Sequence, residues 1–289
     1  MKRQDFRFFH RLRVRWAEVD MQKIVFNAHY LMYFDTAIAD YWRALALPYE
    51  ESMVALQGDL YVKKATVEFH ASARMDDALD VAMKCQRIGT SSIVFQGAIF
   101  RADELLITGE LVYVFADPAT QTSKPVSEAL RSILLGYEQG QAMITLRLGD
   151  WAALGADAGP LRQAVFVHEQ HVPQELEWDS DDATALHAVA YNGLGRPVAT
   201  GRLLHYAKGV AKIGRMAVER TLRGSGVGAA VLRTLMDAAQ ARGDKQVVLH
   251  AQKSAEGFYL RLGFMPQGPT FEEAGITHIK MTKTLGVSA

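Results

Sequence analysis

The sequence holds a single cysteine, Cys85, in 289 residues. One thiol excludes an internal disulfide. Lying in the apolar run DVAMKC with no histidine beside it, Cys85 reads as a small buried hydrophobe in a reducing compartment. No apolar stretch approaches the roughly 20 residues of a membrane span, and the N-terminal MKRQDFRFFHRLR lacks a secretory apolar region, so a cytoplasmic address is expected. An excess of charge is missing as well. Lysine plus arginine number 32 and aspartate plus glutamate 32, which leaves no global field to recruit nucleic acid or an acidic membrane. The HEQH at 168–171 and the DSDD at 179–182 do not have the H-E-x-x-H spacing, and without cysteine partners no metal is expected. There is no internal repeat and no low-complexity segment.

What is present is enough apolar character, 49% of residues, for buried cores, over a length that suggests two domains. The first fifteen residues carry six basic side chains against Asp5. Arg11, Arg13 and Arg15 alternate with Leu12, Val14 and Trp16, the period of a strand with one wet face. An extended run near 8–18 is followed by a helix near 28–46 and by four extended runs near 60–72, 78–88, 91–101 and 105–116. The breaks RMDD, IGTSS and ADE are short enough for hairpins, so these runs predict an antiparallel meander. A polar link, DPATQTSKP, a short helix around 126–136 and GYEQGQ mark a boundary near residue 140, giving domains 1–138 and 139–289. Beyond it strands and helices alternate: MITLRL, a helix through LRQAVFVHEQ, strands at LHAVAYN, PVATGRLLHY and AKIGRMAVE, a helix after RGSGVG, the strand QVVLHAQ, a helix through AEGFYLRL and a last strand HIKMTKTL. The fold class is α+β.

The first helix, AHYLMYFDTAIADYWRALAL, carries charge only at Asp35, Asp40 and Arg43, which predicts burial all round. One buried helix with a meander predicts a sheet curled around it, the hotdog architecture. RWAEVDMQKIVFNAHYLMYFD at 15–35, GTSSIVFQGAIF at 89–100 and FADPATQTSKPV at 115–126 resemble hotdog acyl-CoA thioesterases of the 4-hydroxybenzoyl-CoA thioesterase type, over about residues 7–135. The resemblance implies hydrolysis of an acyl-CoA substrate and a homo-oligomer formed through this domain. It implies that Asp20 is the catalytic aspartate, acting as nucleophile or as the base that activates water. Asn27 would cap the helix, whose amides at Ala28, His29 and Tyr30 would polarise the thioester carbonyl. Asp35 is the second candidate carboxylate, and a turn aspartate bonding its own loop is the structural alternative for Asp20. Lys23 stands where many relatives carry glycine.

The glycine run RGSGVG at 223–228 predicts a close backbone approach to a phosphate. A dinucleotide fold would want an acid about 20 residues on, which VVLHAQ lacks, and a P-loop would want a following lysine. AKIGRMAVERTLRGSGVGAAVLRTLMDAA instead resembles the acetyl-CoA loop of the GNAT superfamily of N-acetyltransferases, [QR]-x-x-G-x-[GA], and AEGFYLRLGF at 255–264 matches its A-x-x-x-Y-x-x-x-G-F turn. The resemblance implies acetyl-CoA as donor, with its pyrophosphate on the amides of Arg223, Gly224, Ser225, Gly226, Val227, Gly228 and Ala229. Met216, Ala217 and Val218 would pair with the pantetheine and acetyl carbonyl, and Tyr259 would protonate the departing thiolate. Gln252 fills a slot where relatives often have asparagine. A base for the unknown amine acceptor is not readable: for Glu169, His187, Glu219 and His278 alike, a structural contact is the expected role. Two functions follow. Either both domains catalyse, one hydrolysing acyl-CoA and one transferring acetyl, or one is catalytic and the other is a CoA sensor or scaffold.

Overall fold

The computed structural model of the chain describes residues 1–286 and divides into two compact units, Met1–Met143 and a second from Ile144 onward. The first unit runs β1 (Phe8–Arg13), α1 (Asn27–Ala44), α2 (Tyr49–Leu56), β2 (Asp59–Phe69), β3 (Ala78–Ile88), β4 (Ser92–Arg101), β5 (Glu104–Ala116) and α3 (Glu128–Glu138). Its strands form one antiparallel sheet in the order β1-β3-β4-β5-β2.

Three expectations need correction here. The first strand ends at Arg13, because Trp16–Glu18 closes a 3₁₀ turn in which the Glu18 carboxylate takes the Arg15 amide at 2.7 Å. The meander holds for β3, β4 and β5, whereas β2 skips β3 and pairs with β5. The residues between β2 and β3 are held against the start of α1 instead of turning back: Ala73 donates its amide to the Tyr30 hydroxyl at 2.9 Å and accepts from the Val25 amide at 2.9 Å. Finally, α1 is not buried all round. Tyr30, Tyr33, Phe34, Ala37, Ile38, Tyr41 and Trp42 form a buried stripe at helical spacing, and Leu31, Met32 and Asp35 stay exposed on the other side, because the sheet covers one face only.

The stripe decides how α1 meets the sheet. Gly97 and Gly109 are cross-strand partners on β4 and β5, and a Cβ on Gly109 would lie 2.6 Å from the Phe34 ring. The two glycines therefore make the seat for Phe34, a side chain whose full burial contributes about 1.5–3 kcal/mol.

The second unit runs β6 (Ile144–Gly149), α4 (Trp151–Arg162), α5 (Gln174–Glu177), β7 (Leu186–Asn192), β8 (Pro197–Ala207), β9 (Val210–Val218), α6 (Val227–Ala241), β10 (Gln246–Gln252), α7 (Glu256–Arg261), β11 (Met265–Glu273) and β12 (Ile276–Thr284). A π-helical run, Gln163–Glu169, continues α4 beyond Pro160. The sheet order is β11-β12-β10-β9-β8-β7-β6, antiparallel except between β9 and β10. A mixed sheet of this kind forms because α6 supplies the crossover that a parallel pair requires. Its amphipathic stripe, Val231, Leu232, Leu235, Met236 and Ala239, is buried, and it packs chiefly on β8, β9 and β7.

Candidate functional site

In the second unit, β9 and β10 pair only where Val210–Lys212 meets Gln246–Val248. Beyond those residues the strands part, and the gap opens a cleft of about 910 Å³ lined from β9 by Gly214, Met216 and Val218 and from β10 by Leu249, His250 and Gln252. A bulge helps to turn β9. Between the Thr200–Ala217 and Arg202–Gly214 pairs, Arg215 and Met216 stand against Gly201 alone, with Arg215 at φ 50°. A Cβ on Gly201 would sit 2.5 Å from the Met216 sulfur and 2.9 Å from Leu235 Cδ1, so a side chain on the β8 side of the bulge would have to displace both. Ala217 is buried between those two wall residues.

The glycine run leads from β9 into α6. Gly224 and Gly226 adopt φ of 87° and 93°, left-handed values natural to glycine, and Gly226 is the residue from which α6 starts. Gly228 answers to packing: a Cβ there would meet Val218 Cγ2 at 3.0 Å. Two of the expected phosphate amides already have backbone partners. The Arg223 amide donates to Arg220 O at 3.3 Å and the Ser225 amide to Leu222 O at 3.2 Å. Among the described residues the amides of Gly224, Gly226, Val227, Gly228 and Ala229 have no such partner, as the first turn of a helix requires. The Arg223 guanidinium is bidentate on Glu169, at 2.5 and 2.7 Å, and its hydrogen bond holds the Glu169 carboxyl below the usual range.

Tyr259, on α7, is 8% exposed and lines the same cleft. Its ring is wedged edge-on against Phe258 and Phe264, with centroids at 4.9 and 5.9 Å, and its hydroxyl makes no hydrogen bond among the described residues. Burial pushes the phenol up to about 12, so it stays protonated through the physiological range. Gln252 donates to Gln170 Oε1 at 2.7 Å.

The groups weighed as bases are mostly committed elsewhere. His187 Nε2 is 3.0 Å from Asp182 O, Glu219 pairs with Arg196 at 3.2 Å, and His278 Nδ1 is 2.8 Å from Ile276 O. His187 lies beside a buried ion network absent from the sequence expectations. Arg162 grips Glu177 at 2.5 Å and Asp182 at 2.7 Å, while Arg202 takes Asp179 at 2.6 Å and Asp182 at 2.7 Å. The recurring acids of ELEWDSDD were the available signal, but nothing local named their partners.

In the first unit, Asp20 opens the loop before α1. Its amide donates to Ile24 O at 2.9 Å, its carbonyl accepts from the Lys23 amide at 2.9 Å, and Lys23 takes φ 63°, the left-handed value that glycine would adopt without strain. Asp20 Oδ1 accepts from the Gln22 amide at 2.8 Å, so one carboxylate oxygen stiffens its own loop. The residue preceding α1 is Phe26, and Asn27 is its first helical residue without a capping role, a correction to the expected cap. The first turn closes tightly, with the His29 amide donated to Phe26 O at 2.9 Å, and that spends one of the three expected carbonyl-polarising donors. Asp35 is exposed, and its charge adds to burial in pushing Tyr113 up to about 12.

Sequence reasoning missed Glu18. It is 2% exposed and holds the loop to α1, accepting from the Tyr33 hydroxyl at 2.8 Å and from Arg15 Nε at 2.7 Å. Burial alone would raise this carboxyl, but the hydrogen bonds from Arg15 and Tyr33 outweigh it and hold it below the ordinary range. Around the loop, Trp16, Met21, Phe26, Leu31 and Met32 present exposed apolar surface, Met21 being 100% accessible.

Residues 150–285 match the family model for the acetyltransferase (GNAT) domain, and residues 14–134 match that of the thioesterase-like superfamily. The chain is a fusion of these two families. Over 128 residues it is 37% identical to the uncharacterized N-acetyltransferase YjcF of Bacillus subtilis, a match spanning 44% of this chain and 90% of that protein. The crystal structure of Escherichia coli ElaA is similar at 31% identity, covering 49% of this chain and 99% of that one with a TM-score of 0.44. Slr0204, a 1,4-dihydroxy-2-naphthoyl-CoA thioesterase from Synechocystis, is similar at 17% identity over 44% of this chain and 95% of its own, with a TM-score of 0.41. Among the described residues no group of three or more His, Cys, Asp or Glu is placed to hold a metal, and no helix is long and apolar enough to cross a membrane.

Proposed function

We propose that the fusion protein is a bifunctional CoA-dependent enzyme, hydrolysing acyl-CoA thioesters in its thioesterase-like domain and transferring acetyl from acetyl-CoA to an amine in its GNAT domain. The observation that carries the reading is the open cleft between β9 and β10, with unpartnered amides at the start of α6 and the hydrogen-bond-free Tyr259 in its lining. A pyrophosphate suits Gly224, Gly226, Val227, Gly228 and Ala229, because helix N-terminal amides and the helix dipole both favour an anion. Met216, Ala217 and Val218 then lie along the pantetheine, and Tyr259, protonated at neutral pH, gives its proton to the sulfur as the C–S bond breaks.

In the thioesterase-like domain, Asp20 attacks the thioester carbon or activates water for it, while the Ala28 and Tyr30 amides at the start of α1 draw charge onto the carbonyl oxygen. The exposed apolar side chains beside that loop, and the exposed face of α1, suit an acyl chain and a second copy of the chain. Asp20 Oδ1, occupied by the Gln22 amide, is the observation that favours the second reading, in which the GNAT domain alone is catalytic. Release of free CoA thiol from a panel of acyl-CoAs, with and without primary amines, tests both. The first reading expects amine-independent release from longer acyl-CoAs and amine-dependent release from acetyl-CoA; amine-dependent release alone supports the second.

A further inference from the structure

Acetyl transfer to an amine needs a group that takes a proton from the acceptor, since a primary amine is an ammonium at neutral pH and has no lone pair for attack. We infer that His250 is that base and that Glu273 is the residue positioning it; the inference rests on the transferase reading given above.

His250 lines the cleft from β10, on the wall opposite Met216, and Tyr259 opens into the same space. Its Nδ1 stands 3.3 Å from Glu273 Oε2 at the end of β11. A carboxylate can only accept, so this contact fixes the proton on Nδ1 and leaves the lone pair on Nε2. The ring is held edge-on by Phe271, with centroids 5.0 Å apart at 78°, and Phe271 is in turn stacked on His278 at 5.9 Å and 25°. The arrangement has a base and a second group that orients it, both beside a cleft.

Among the other acid-base groups of the cleft, Glu169 is locked by Arg223, and Lys212 supplies the positive charge that His250 feels. His278, whose Nδ1 also faces an acceptor, lies on β12, separated from β9 by β10, with its ring stacked on Phe271. The charged groups around His250 are Lys212 from β9, Glu273 from β11, and His278 and Lys280 from β12. Lys280, its cross-strand partner, carries its ammonium over the Tyr206 ring at 5.8 Å. Burial and the Lys212 charge hold the imidazole below its ordinary value, against the pull of Glu273, so His250 is neutral and able to accept a proton at pH 7.

The proton balance is complete. His250 Nε2 takes one proton from R–NH₃⁺; the amine nitrogen forms the C–N bond to the acetyl carbonyl; the C–S bond then breaks. Tyr259 protonates the thiolate and recovers its proton from the nitrogen that becomes the amide. The proton on His250 leaves to solvent, so the sum is one amide, one thiol and one released proton.

The test compares two probes in the full-length protein: hydroxylamine, which is neutral at pH 7, and the best acceptor among a panel of primary amines, which is charged. His250→Gln is expected to slow transfer to the primary amine by about a hundredfold and to hydroxylamine by less than about tenfold, with the affinity for acetyl-CoA kept. Glu273→Gln should lower the acidic limb of the kcat/KM profile for the primary amine, because the removed carboxylate was raising the imidazole pKa. It also carries the test if His250→Gln does not fold. Equal losses with both probes, or an unmoved pH profile in Glu273→Gln, would overturn the assignment. So would wild-type transfer to hydroxylamine with no primary amine accepted. A wild type that binds acetyl-CoA yet acetylates neither probe would remove the transferase reading itself and the base with it.

Discussion

The Phe34 ring lies on Gly109, so close that a Cβ on that glycine would stand 2.6 Å from it, and a Cβ on the neighbouring Gly97 would come within 2.7 Å of Phe34 Cδ1. The α1 helix can cross the sheet only where two strands lack side chains. Gly109→Val should therefore overpack the seat and destabilise the first unit by about 1–3 kcal/mol. Denaturant unfolding followed by fluorescence checks this. Calorimetric binding of acetyl-CoA, assigned to the second unit, should be unchanged in the same variant.

A second prediction concerns acid stability. Burial works to raise Asp179 and Asp182, but hydrogen bonds from Arg202 to both, and from Arg162 to Asp182, outweigh it and hold both carboxyls below the ordinary aspartate range. A carboxyl depressed on folding stabilises the native state above its unfolded pKa of about 3.9, and that contribution is lost as pH falls through the lower folded value. The stability contributed by Asp179 and Asp182 should thus be steady from neutral pH to about pH 5 and be lost below about pH 4, offset in part by Glu177, which burial raises and which therefore gains stability as pH falls. Arg162→Met takes from the buried Glu177 and Asp182 the guanidinium they share, leaving Asp182 on Arg202 and Glu177 on Arg215 at 3.4 Å, and should cost about 3–5 kcal/mol at pH 7. A melting point for this variant equal to the wild type would show that the network adds nothing.

Much of this was legible in the sequence, and what was not has physical causes. The helix Asn27–Ala44, the strands β3 to β5 and the loop RGSGVG announced themselves through periodicity and glycine spacing. The pairing of β2 with β5 did not, because the hydrogen bonds that hold the β2–β3 link, from Ala73 to Tyr30 and from Val25 to Ala73, span about 40 residues or more of chain. Strand β11 was hidden by Pro266, Gly268 and Pro269, breakers that it tolerates at the sheet edge where one flank is unpaired. Its two-residue turn uses Ala274 at φ 51° before Gly275 at φ 75°, and alanine gives no hairpin signal. Asp20 and Tyr259 were found through motifs. His250 and Glu273 were missed because each finds its partner on another strand, and Glu18 because only folding brings the Tyr33 hydroxyl onto it and buries its local pair with Arg15.

Assembly gives a third prediction. The edge strand β2 pairs only with β5, its residues Tyr61, Val62 and Phe69 are exposed, and α1 leaves Leu31 and Met32 uncovered. Open edges and apolar faces of this kind are commonly closed by a second copy. Light scattering at micromolar concentration should report at least a dimer, and Val62→Asp with Phe69→Asp should shift it toward the monomer. A wild-type monomer would leave the acyl site proposed beside Asp20 without its second wall.

On the proposed function, the fused domains perform separate chemistry on CoA thioesters. Asp20→Asn and Tyr259→Phe, each measured for acyl-CoA hydrolysis and for acetyl transfer in the full-length protein, test it most directly. Asp20→Asn should lower hydrolysis by about a hundredfold or more while transfer holds within about twofold. Tyr259→Phe should slow transfer at unchanged acetyl-CoA affinity and leave hydrolysis intact. Either variant lowering both activities together, in protein that stays folded and keeps its oligomeric state, would contradict separate sites.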